Sequence, residues 1–252
     1  MGGPSGISSA GAPPGQALPA WRSVLAVVAH PDDETFGLGA VIDAMTSAGA
    51  AVHLLCFTRG EASTINECGA DLLAARAEEL RQASAELGVA TVTLLDYPDG
   101  VLAAIPPHLL EEHVTTMTVR HGIDGLLVFD DTGVTRHRDH QAATAAAVGA
   151  AREAGLPVLG WTLPAAVASA LKAETGASFA GRQACEMDIR VQVSRAKQRR
   201  AALMHATQIS PAAMLWRRLQ LQGDREHLRW IWPVASHPVT PEYPRPGRCE
   251  YP

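Results

Sequence analysis

The feature that most constrains the fold is a regular alternation of short apolar runs with longer segments of helical spacing. Runs rich in β-branched and other apolar residues predict buried strands. The four predicted strands are Val24–Ala29, Ala51–Thr58, Thr91–Leu95 and Gly125–Phe129. The four predicted helices are Thr35–Gly49, Ala70–Leu87, Pro107–Arg120 and Asp139–Ala154. Strands that alternate with helices of this length are typical of parallel βαβ units. The sequence therefore predicts a doubly wound, mostly parallel α/β sheet.

The organisation outside this pattern is simpler. Beyond residue 157 the alternation loosens, and the predicted elements there are strands at Pro157–Trp161 and Glu186–Val193 and a helix at Arg195–Ala206. No repeat of fixed period and no second domain boundary is visible, so a single domain is expected over residues 21–236. Residues 1–20 are rich in glycine, proline, serine and alanine and predict a flexible leader. Residues 237–252 are proline-rich and predict an irregular tail.

Composition and charge exclude several classes of protein. The chain has 252 residues, of which 47% are hydrophobic and 19% charged, which is typical of a globular protein and not of a disordered one. No apolar run approaches the ~20 residues of a membrane span. The net charge of −5 does not favour nucleic acid as a partner, and a small molecule is expected instead. Four scattered cysteines without a C-x-x-C pair predict reduced thiols and a cytoplasmic protein. A homo-oligomer stays possible.

Ionisable residues follow each of the four predicted strands. The carboxyl ends of parallel strands meet at one edge of an open sheet, where ligands bind. His30-Pro31-Asp32-Asp33-Glu34 follows the first strand, and Asp130 to His140 follows the fourth. Arg59 and Asp99 come after the second and third. This convergence predicts a functional site at that edge. No G-x-G-x-x-G, Walker A or G-x-S-x-G motif indicates another chemistry.

Three carboxylates in succession after an apolar strand repel one another, and a bound cation would relieve the repulsion. Histidine with carboxylate is a common zinc ligand set. The alternative is that Asp32, Asp33 and Glu34 only place negative charge at the start of a helix, where the helix dipole favours it. The histidine at position 30 favours the metal hypothesis.

A second cluster, His137-Arg138-Asp139-His140, places two histidines three residues apart, which can face the same side of a helix start. One can bind a metal while the other polarises a substrate, with Asp139 fixing the His137 ring. A solvated helix terminus is the alternative. Together the two clusters offer His30, Asp33 and His140 as ligands, and three protein ligands are typical of catalytic zinc. Asp32 is then placed as a general base.

These residues resemble a known family. Ala29–Glu34 (AHPDDE) after a hydrophobic strand is similar to the signature of the LmbE-like/PIG-L zinc-dependent N-deacetylases. The similarity recurs in Arg59-Gly60-Glu61, in Pro98-Asp99-Gly100 and in the late segment formed by Lys197, Ala201, His205, Thr207 and Gln208. His137 to His140 resembles the family's H-P-D-H, with Arg138 in place of the proline.

The resemblance implies a Rossmann-like α/β fold and a site with assigned roles. It implies His30, Asp33 and His140 as ligands of Zn²⁺, or of another divalent metal in the cell, and Asp32 as the general base. His137 would stabilise the oxyanion and protonate the leaving amine, with Asp139 orienting it. Arg59 and Asp99 would contact sugar hydroxyls or a neighbouring group.

The implied activity is removal of an N-acyl group, most often acetyl, from an amino-sugar conjugate such as an N-acetylglucosaminide. Two other functions stay open. One is an amidase that acts on a non-sugar amide in specialised or thiol metabolism. The other is a metal-binding module without turnover, which the presence of every proposed catalytic side chain disfavours.

Overall fold

The structure is a computed structural model that describes residues 17–63, 72–210 and 213–232. Within these ranges the strands are β1 (Ser23–Val28), β2 (Ala51–Thr58), β3 (Thr91–Tyr97), β4 (Gly125–Phe129), β5 (Val158–Pro164), β6 (Gly181–Arg182), β7 (Ile189–Gln192) and β8 (Arg225–Trp232). The helices are α1 (Asp33–Phe36), α2 (Gly39–Ser47), α3 (Leu72–Leu87), α4 (Pro107–His121), α5 (Arg138–Ala154), α6 (Ala165–Thr175), α7 (Ala196–Met204) and α8 (Met214–Gln222). The predicted tail and most of the predicted leader lie outside the described residues.

One mostly parallel sheet contains all eight strands, in the order β3-β2-β1-β4-β5-β8-β7, with β6 paired to β5. Strand β8 runs antiparallel to β5 and to β7, and the other pairings are parallel. The prediction of a doubly wound, mostly parallel α/β fold is therefore confirmed. None of the helices in the described ranges has the length and apolar character needed to cross a bilayer.

Strand β1 illustrates why the central strands read as continuous apolar runs. Successive side chains of a strand point to opposite faces of the sheet. Val24, Ala26 and Val28 pack into the core beneath α2 and α3, whereas Leu25 and Val27 pack into the core beneath α4 and α5. All five side chains are at most 3% exposed. Helices thus cover both faces, as a parallel sheet requires.

The predicted helix over Thr35–Gly49 is two helices, which is a correction with a steric cause. Helix α1 ends at Phe36 and α2 begins at Gly39. The backbone of Gly37 approaches the Phe129 ring so closely that a Cβ would lie 2.2 Å from it. Glycine is therefore required where the chain passes the Phe129 ring between the two helices.

The cysteine prediction is correct at one position and wrong at another. Cys56 is a free, buried thiol in β2, as predicted. Cys185 is disulfide-bonded, so the expectation of reduced thiols throughout is wrong. Pairing of scattered cysteines is decided by their separation in the fold, which the spacing in the sequence does not show.

The order of the strands locates the crevice of the sheet. The chain winds from β1 outward to β2 and β3, and then returns to β4 on the other side of β1. Strands β1 and β4 are therefore neighbours whose connections leave in opposite directions, which is the switch point where such sheets bind ligands. The two predicted metal-binding clusters follow these two strands.

Candidate metal centre

Three potential metal donors from two loops meet at this switch point. His30 follows β1, Asp33 begins α1, and His140 lies in the first turn of α5. All three residues are at most 9% exposed. His30 Nδ1 lies 3.2 Å from His140 Nε2 and 3.5 Å from Asp33 Oδ2. His140 Nε2 lies 3.1 Å from Asp33 Oδ1. The structure thus brings the three predicted ligands together.

These spacings fit a zinc ion. Nitrogen and oxygen ligands lie about 2 Å from zinc, so two of them at a tetrahedral angle are about 3.3 Å apart. The three pairs, in which Asp33 uses Oδ2 toward His30 and Oδ1 toward His140, are 3.1 to 3.5 Å apart and so have about that separation. The donor set of two imidazoles and one carboxylate is also one that zinc accepts.

The other nitrogen of each ring faces an acceptor, as in metal-binding histidines generally. His140 Nδ1 lies 3.0 Å from the Gly133 carbonyl oxygen and 3.1 Å from Thr135 Oγ1. A proton on Nδ1 leaves the lone pair of His140 Nε2 for the metal. His30 Nε2 lies 2.9 Å from Asp99 Oδ1 and 3.4 Å from Asp139 Oδ2, although neither contact has the direction of a hydrogen bond.

The carboxylates around His30 favour a positive charge at this position. Burial opposes a charge on this ring, but Asp139, Asp33 and Asp99 outweigh burial and raise its pKa to about 12. Burial also opposes ionisation of Asp33, yet the adjacent His140 and His30 hold the pKa of this carboxyl well below its usual range. The centre thus keeps its carboxylates ionised by gathering positive charge, which a divalent metal would supply.

Two further groups of donors lie within 4.8 Å of one another in the described part of the chain. One consists of His30, His137 and His140, and the other of His30, Asp99 and Asp139. The second group surrounds the Nε2 side of His30, so it is an alternative to the set built on Nδ1. The assignment of the ligands therefore stays a prediction that variants can test.

Asp32 lies beside the ligands on a strained backbone. Its φ of 111° is in the left-handed region, which costs a non-glycine residue of order 1–3 kcal/mol. Its side chain is 17% exposed, and Oδ2 lies 3.4 Å from Arg76 Nη2. Burial and the Asp33 carboxylate raise the pKa of Asp32 to about 7, against the opposing effects of Arg76 and His205. A carboxyl with such a pKa can accept a proton near neutral pH.

Arg76 is a residue of the site that sequence reasoning missed. It is 3% exposed on α3 and donates to the carbonyl oxygens of Pro31, at 2.6 Å, and of Gly60. A Cβ at position 60 would lie 2.3 Å from the guanidinium, which explains the glycine in Arg59-Gly60-Glu61. The signal was present in the sequence, because Arg76 and Leu80 are four residues apart on the buried face of α3.

The loops after β2, β3 and β4 are hydrogen-bonded to one another. The Asp99 amide donates to Glu61 Oε1 at 2.9 Å, and the Ala62 amide donates to Asp99 Oδ2 at 3.0 Å. The amides of Gly100 and Leu102 donate to the Asp139 carboxylate at 2.7 and 3.0 Å. Asp99 and Asp139 are thereby held against the Nε2 side of His30.

His137 is the exposed member of the histidine cluster. It caps α5, where its Nδ1 accepts from the Asp139 amide at 3.3 Å. The acceptor role of Nδ1 assigns the proton of the neutral ring to Nε2. Partial desolvation and the His30 and His140 rings lower the pKa of His137. The Asp139 carboxylate has no hydrogen bond to the His137 ring in the described contacts, so it is the Asp139 amide that orients this ring.

The late segment braces the loop after β1. His205 Nε2 lies 2.7 Å from Glu34 Oε1, and both side chains are fully buried. Glu34 in turn accepts from the Asp32 amide at 2.9 Å. Thr207 donates to Glu79 of α3 through its amide and its hydroxyl. The segment therefore supports the strained turn at Asp32 through Glu34 and contributes none of the proposed ligands.

Arg59 is the predicted site residue that the structure does not connect to the others. Its side chain is half-buried and forms no hydrogen bond or ion pair with any residue in the described ranges. Asp99, the other predicted substrate contact, faces His30 instead of an open surface. Substrate binding by these two residues stays a prediction.

The fold and the site together define an α/β protein of the doubly wound class with a candidate metal centre of histidine and aspartate at the switch point. A sequence model of the PIG-L family, described as GlcNAc-PI de-N-acetylase, matches residues 25–151. The match covers half of the chain and includes the predicted ligands and Asp32. The chain belongs to this family.

Similarity to characterised proteins agrees with this assignment. The chain is 30% identical over 127 residues to a probable N-acetylglucosaminyl-phosphatidylinositol de-N-acetylase of Schizosaccharomyces pombe, a match that covers 50% of each chain. The fold of the present chain is similar to that of the N,N'-diacetylchitobiose deacetylase of Pyrococcus horikoshii, with a TM-score of 0.61, 20% identity and 84% of each chain covered.

A third similarity limits what the fold alone implies. The 4-carboxy-2-hydroxymuconate hydratase of Pseudomonas putida has a TM-score of 0.64 and 19% identity, over 86% of this chain and 98% of that one. Proteins of this fold therefore catalyse more than one reaction.

The chain spans about half the length of the curated relatives it matches first.

Proposed function

We propose that the protein hydrolyses the N-acyl amide of an amino-sugar conjugate, with a divalent metal ion, zinc, held by His30, Asp33 and His140. The observation that carries the proposal is the separation of the three donors, which matches the ligand spacing around tetrahedral zinc. The curated relatives named for deacetylation of N-acetylglucosaminyl compounds support the reaction type.

When bound, zinc supplies Lewis acidity: it lowers the pKa of water and polarises a carbonyl group. The chain's own residues supply the proton transfers. Asp32 accepts the proton of the attacking water at its carboxylate, which the left-handed turn holds beside the ligands. Arg76 and Glu34 fix that turn through the Pro31 carbonyl and the Asp32 amide.

His137 completes the set as a donor. Its Nε2–H can donate a hydrogen bond to the negative charge that develops on the substrate oxygen. The proton that Asp32 takes from the water can then pass to the leaving amine, because a neutral imidazole that gave up its only N–H proton would become an anion. Because this residue is exposed, it faces the side from which a bulky amine can approach. Removal of such a donor typically lowers the rate by ~10²–10³-fold.

A non-sugar amide is the second candidate substrate. The observation that favours it is the position of Asp99, whose carboxylate lies 2.9 Å from His30 and is not free to bind a sugar hydroxyl. Turnover of an N-acetylglucosaminide against turnover of a non-sugar N-acetyl amide distinguishes the two. The predicted cytoplasmic location and homo-oligomer stay predictions.

The first experiment measures metal content together with amine release from a small panel of N-acetyl glycosides, before and after chelation. About one zinc per chain and chelator-sensitive amine release are expected. Metal without amine release would contradict the proposed substrate class but leave the metal centre. Absence of metal after reconstitution with zinc would contradict the whole proposal.

A further inference from the structure

A cavity of about 190 Å³ lies against the metal centre, with Asp33 and His140 in its wall. Most of the remaining wall is aromatic or aliphatic. The residues that form this apolar wall are Phe36, Phe129, Trp161, Phe179, Met214 and Leu215. His137 and Asp32 do not belong to the described wall. The cavity therefore borders two of the proposed ligands and neither of these two residues.

The wall also contains one buried cation, Arg218 of α8. Arg218 is 4% exposed, and burial lowers its pKa to about 10. Its guanidinium stacks over the Trp161 ring, 4.9 Å from the ring centroid. It donates to the Phe36 carbonyl oxygen and, at 2.8 Å, to Gln222 Oε1. These contacts use two of the five N–H donors of a guanidinium.

No carboxylate forms an ion pair with Arg218 within the described ranges. The nearby Glu226 accepts from Arg195 through Oε1. Its Oε2 accepts from Trp161 Nε1 at 2.7 Å and from Gln222 Nε2 at 3.1 Å. Glu226 thus accepts from three other donors and forms no ion pair with Arg218, although its charge raises the pKa of Arg218 against the effect of burial. Asp33, the carboxylate in the cavity wall, is held by His30 and His140.

A buried charge without a directly paired counter-ion is costly, and buried charges in proteins are usually paired. An arginine that keeps three donors and its charge at the wall of a cavity next to a reaction centre is suited to an anionic group of a ligand. Carboxylate is the simplest such group, because a guanidinium can bind both of its oxygens.

The volume of the cavity limits the ligand. A water molecule occupies about 30 Å³ in the liquid, so the cavity has room for about six non-hydrogen atoms. The methyl group of an acetyl would leave most of it unfilled. A succinyl group places five non-hydrogen atoms beyond its amide carbonyl carbon and ends in a carboxylate.

We propose that this cavity binds the acyl group of the substrate and that Arg218 selects an acyl group ending in a carboxylate, such as succinyl. The proposal rests on the proposed N-deacylase function and makes it more specific. The exposed side at His137 then accommodates the amine, and the cavity accommodates the acyl chain. Arg218 is a specificity-determining residue, since it does not contact the reacting atoms.

The test compares amine release from three N-acyl glucosamines carrying acetyl, succinyl or 4-methylpentanoyl groups. The last two have the same number of non-hydrogen atoms and the same branching, and only succinyl is charged. A charged hydrogen bond predicts a kcat/KM about ten- to a hundredfold higher for succinyl than for 4-methylpentanoyl.

Three variants assign the preference to Arg218. Arg218→Met is expected to abolish the preference, and Arg218→Lys, which keeps the charge, to retain part of it. Arg217→Met is the matched control: its side chain is 40% exposed on the same helix and pairs with Glu174, so the preference should be unchanged. Calorimetric binding of succinate and of 4-methylpentanoate to the wild-type chain provides a measurement that depends on neither turnover nor the folding of a variant.

The outcomes separate this inference from the proposed function. Cleavage of the acetyl compound without preference for succinyl over 4-methylpentanoyl would overturn the role of Arg218 and leave the deacylase intact. A preference that persists in Arg218→Met, with succinate binding no tighter than 4-methylpentanoate, would likewise overturn it. Cleavage of none of the three compounds, with zinc bound, would contradict the proposed function, and the inference would fail with it.

Discussion

Two groups of carboxylates follow the neighbouring strands β4 and β1, and they differ in the side chains that pair with them. After β4, Asp130 accepts from Arg182 Nε at 2.9 Å and from its Nη2 at 2.8 Å, and Asp131 also pairs with this arginine. After β1, Asp33 contacts only histidine rings and backbone amides in the described part of the chain.

The difference distinguishes a structural charge from a functional one. Burial opposes the charge of Asp130, but Arg182 and neighbouring donors hold its pKa below the usual range. The counter-ion of Asp130 is therefore Arg182, a side chain of the protein that keeps its charge at all ordinary pH values. Asp33, after β1, faces two histidine rings that can lose a proton, so a metal ion can replace the proton. Four predictions test this contrast.

The largest effect is expected for His140→Ala. Loss of a ligand should cost more than the ~10–100-fold in metal affinity typical of residues that only orient ligands. Zinc should therefore be absent after dialysis, and amine release should fall to background. Elemental analysis and an amine assay measure the two effects. His108→Ala on exposed α4 is the control, and equal zinc in both variants would show that His140 is not a ligand.

Asp32→Asn should keep zinc but lose ~10²–10⁴-fold in kcat, the usual contribution of a general base. Asp131→Asn is its counterpart after β4 and should leave kcat within about twofold. Steady-state kinetics with parallel metal analysis separate turnover from metal binding. A near wild-type rate in Asp32→Asn would remove the general-base assignment.

His137→Gln should lower kcat by ~10²–10³-fold, because one donor to the developing negative charge is lost. Zinc should be retained, since the three ligands proposed here do not include His137. The same two assays apply. Loss of zinc in this variant would instead favour the ligand group of His30, His137 and His140.

Arg182→Met should affect stability and not activity. It leaves the buried Asp130 without its bidentate partner, which we expect to cost about 1–3 kcal/mol of unfolding free energy. The difference in unfolding free energy between variant and wild type should have its full value at pH values above the ordinary aspartate pKa of about 3.9. It should shrink as the pH falls through the lowered pKa of Asp130. Urea unfolding at several pH values measures it. A loss of turnover as large as that of Asp32→Asn would erase the contrast between the two groups.

Much of the fold could be predicted because the central strands are buried on both faces. Strands β1, β2 and β4 are continuous apolar runs, and their limits in the structure agree with prediction within one residue. The antiparallel strand β8 could not be predicted. It inserts between β5 and β7, and its pairing is set by contacts distant in sequence, such as that between Trp161 and Glu226.

The site was predictable to the extent that its residues lie between the end of a strand and the first turn of the next helix. His30, Asp33 and His140 satisfy this condition, and the structure brings them together. Arg76 and Arg218 do not, since each lies within a helix and reaches the site through the packing of that helix. The helical spacing indicates that Arg76 lies on the buried face of its helix, but which groups these two arginines reach depends on tertiary contacts.

The hydrogen bonds between the loops after β2, β3 and β4 have a consequence for local motion. Because Ala62, Asp99, Gly100 and Leu102 donate their amides to carboxylates on neighbouring loops, no single loop can open without breaking bonds to the next. Native-state hydrogen exchange should therefore report one shared opening free energy for these four amides. The metal centre would then assemble and come apart as a single cooperative unit.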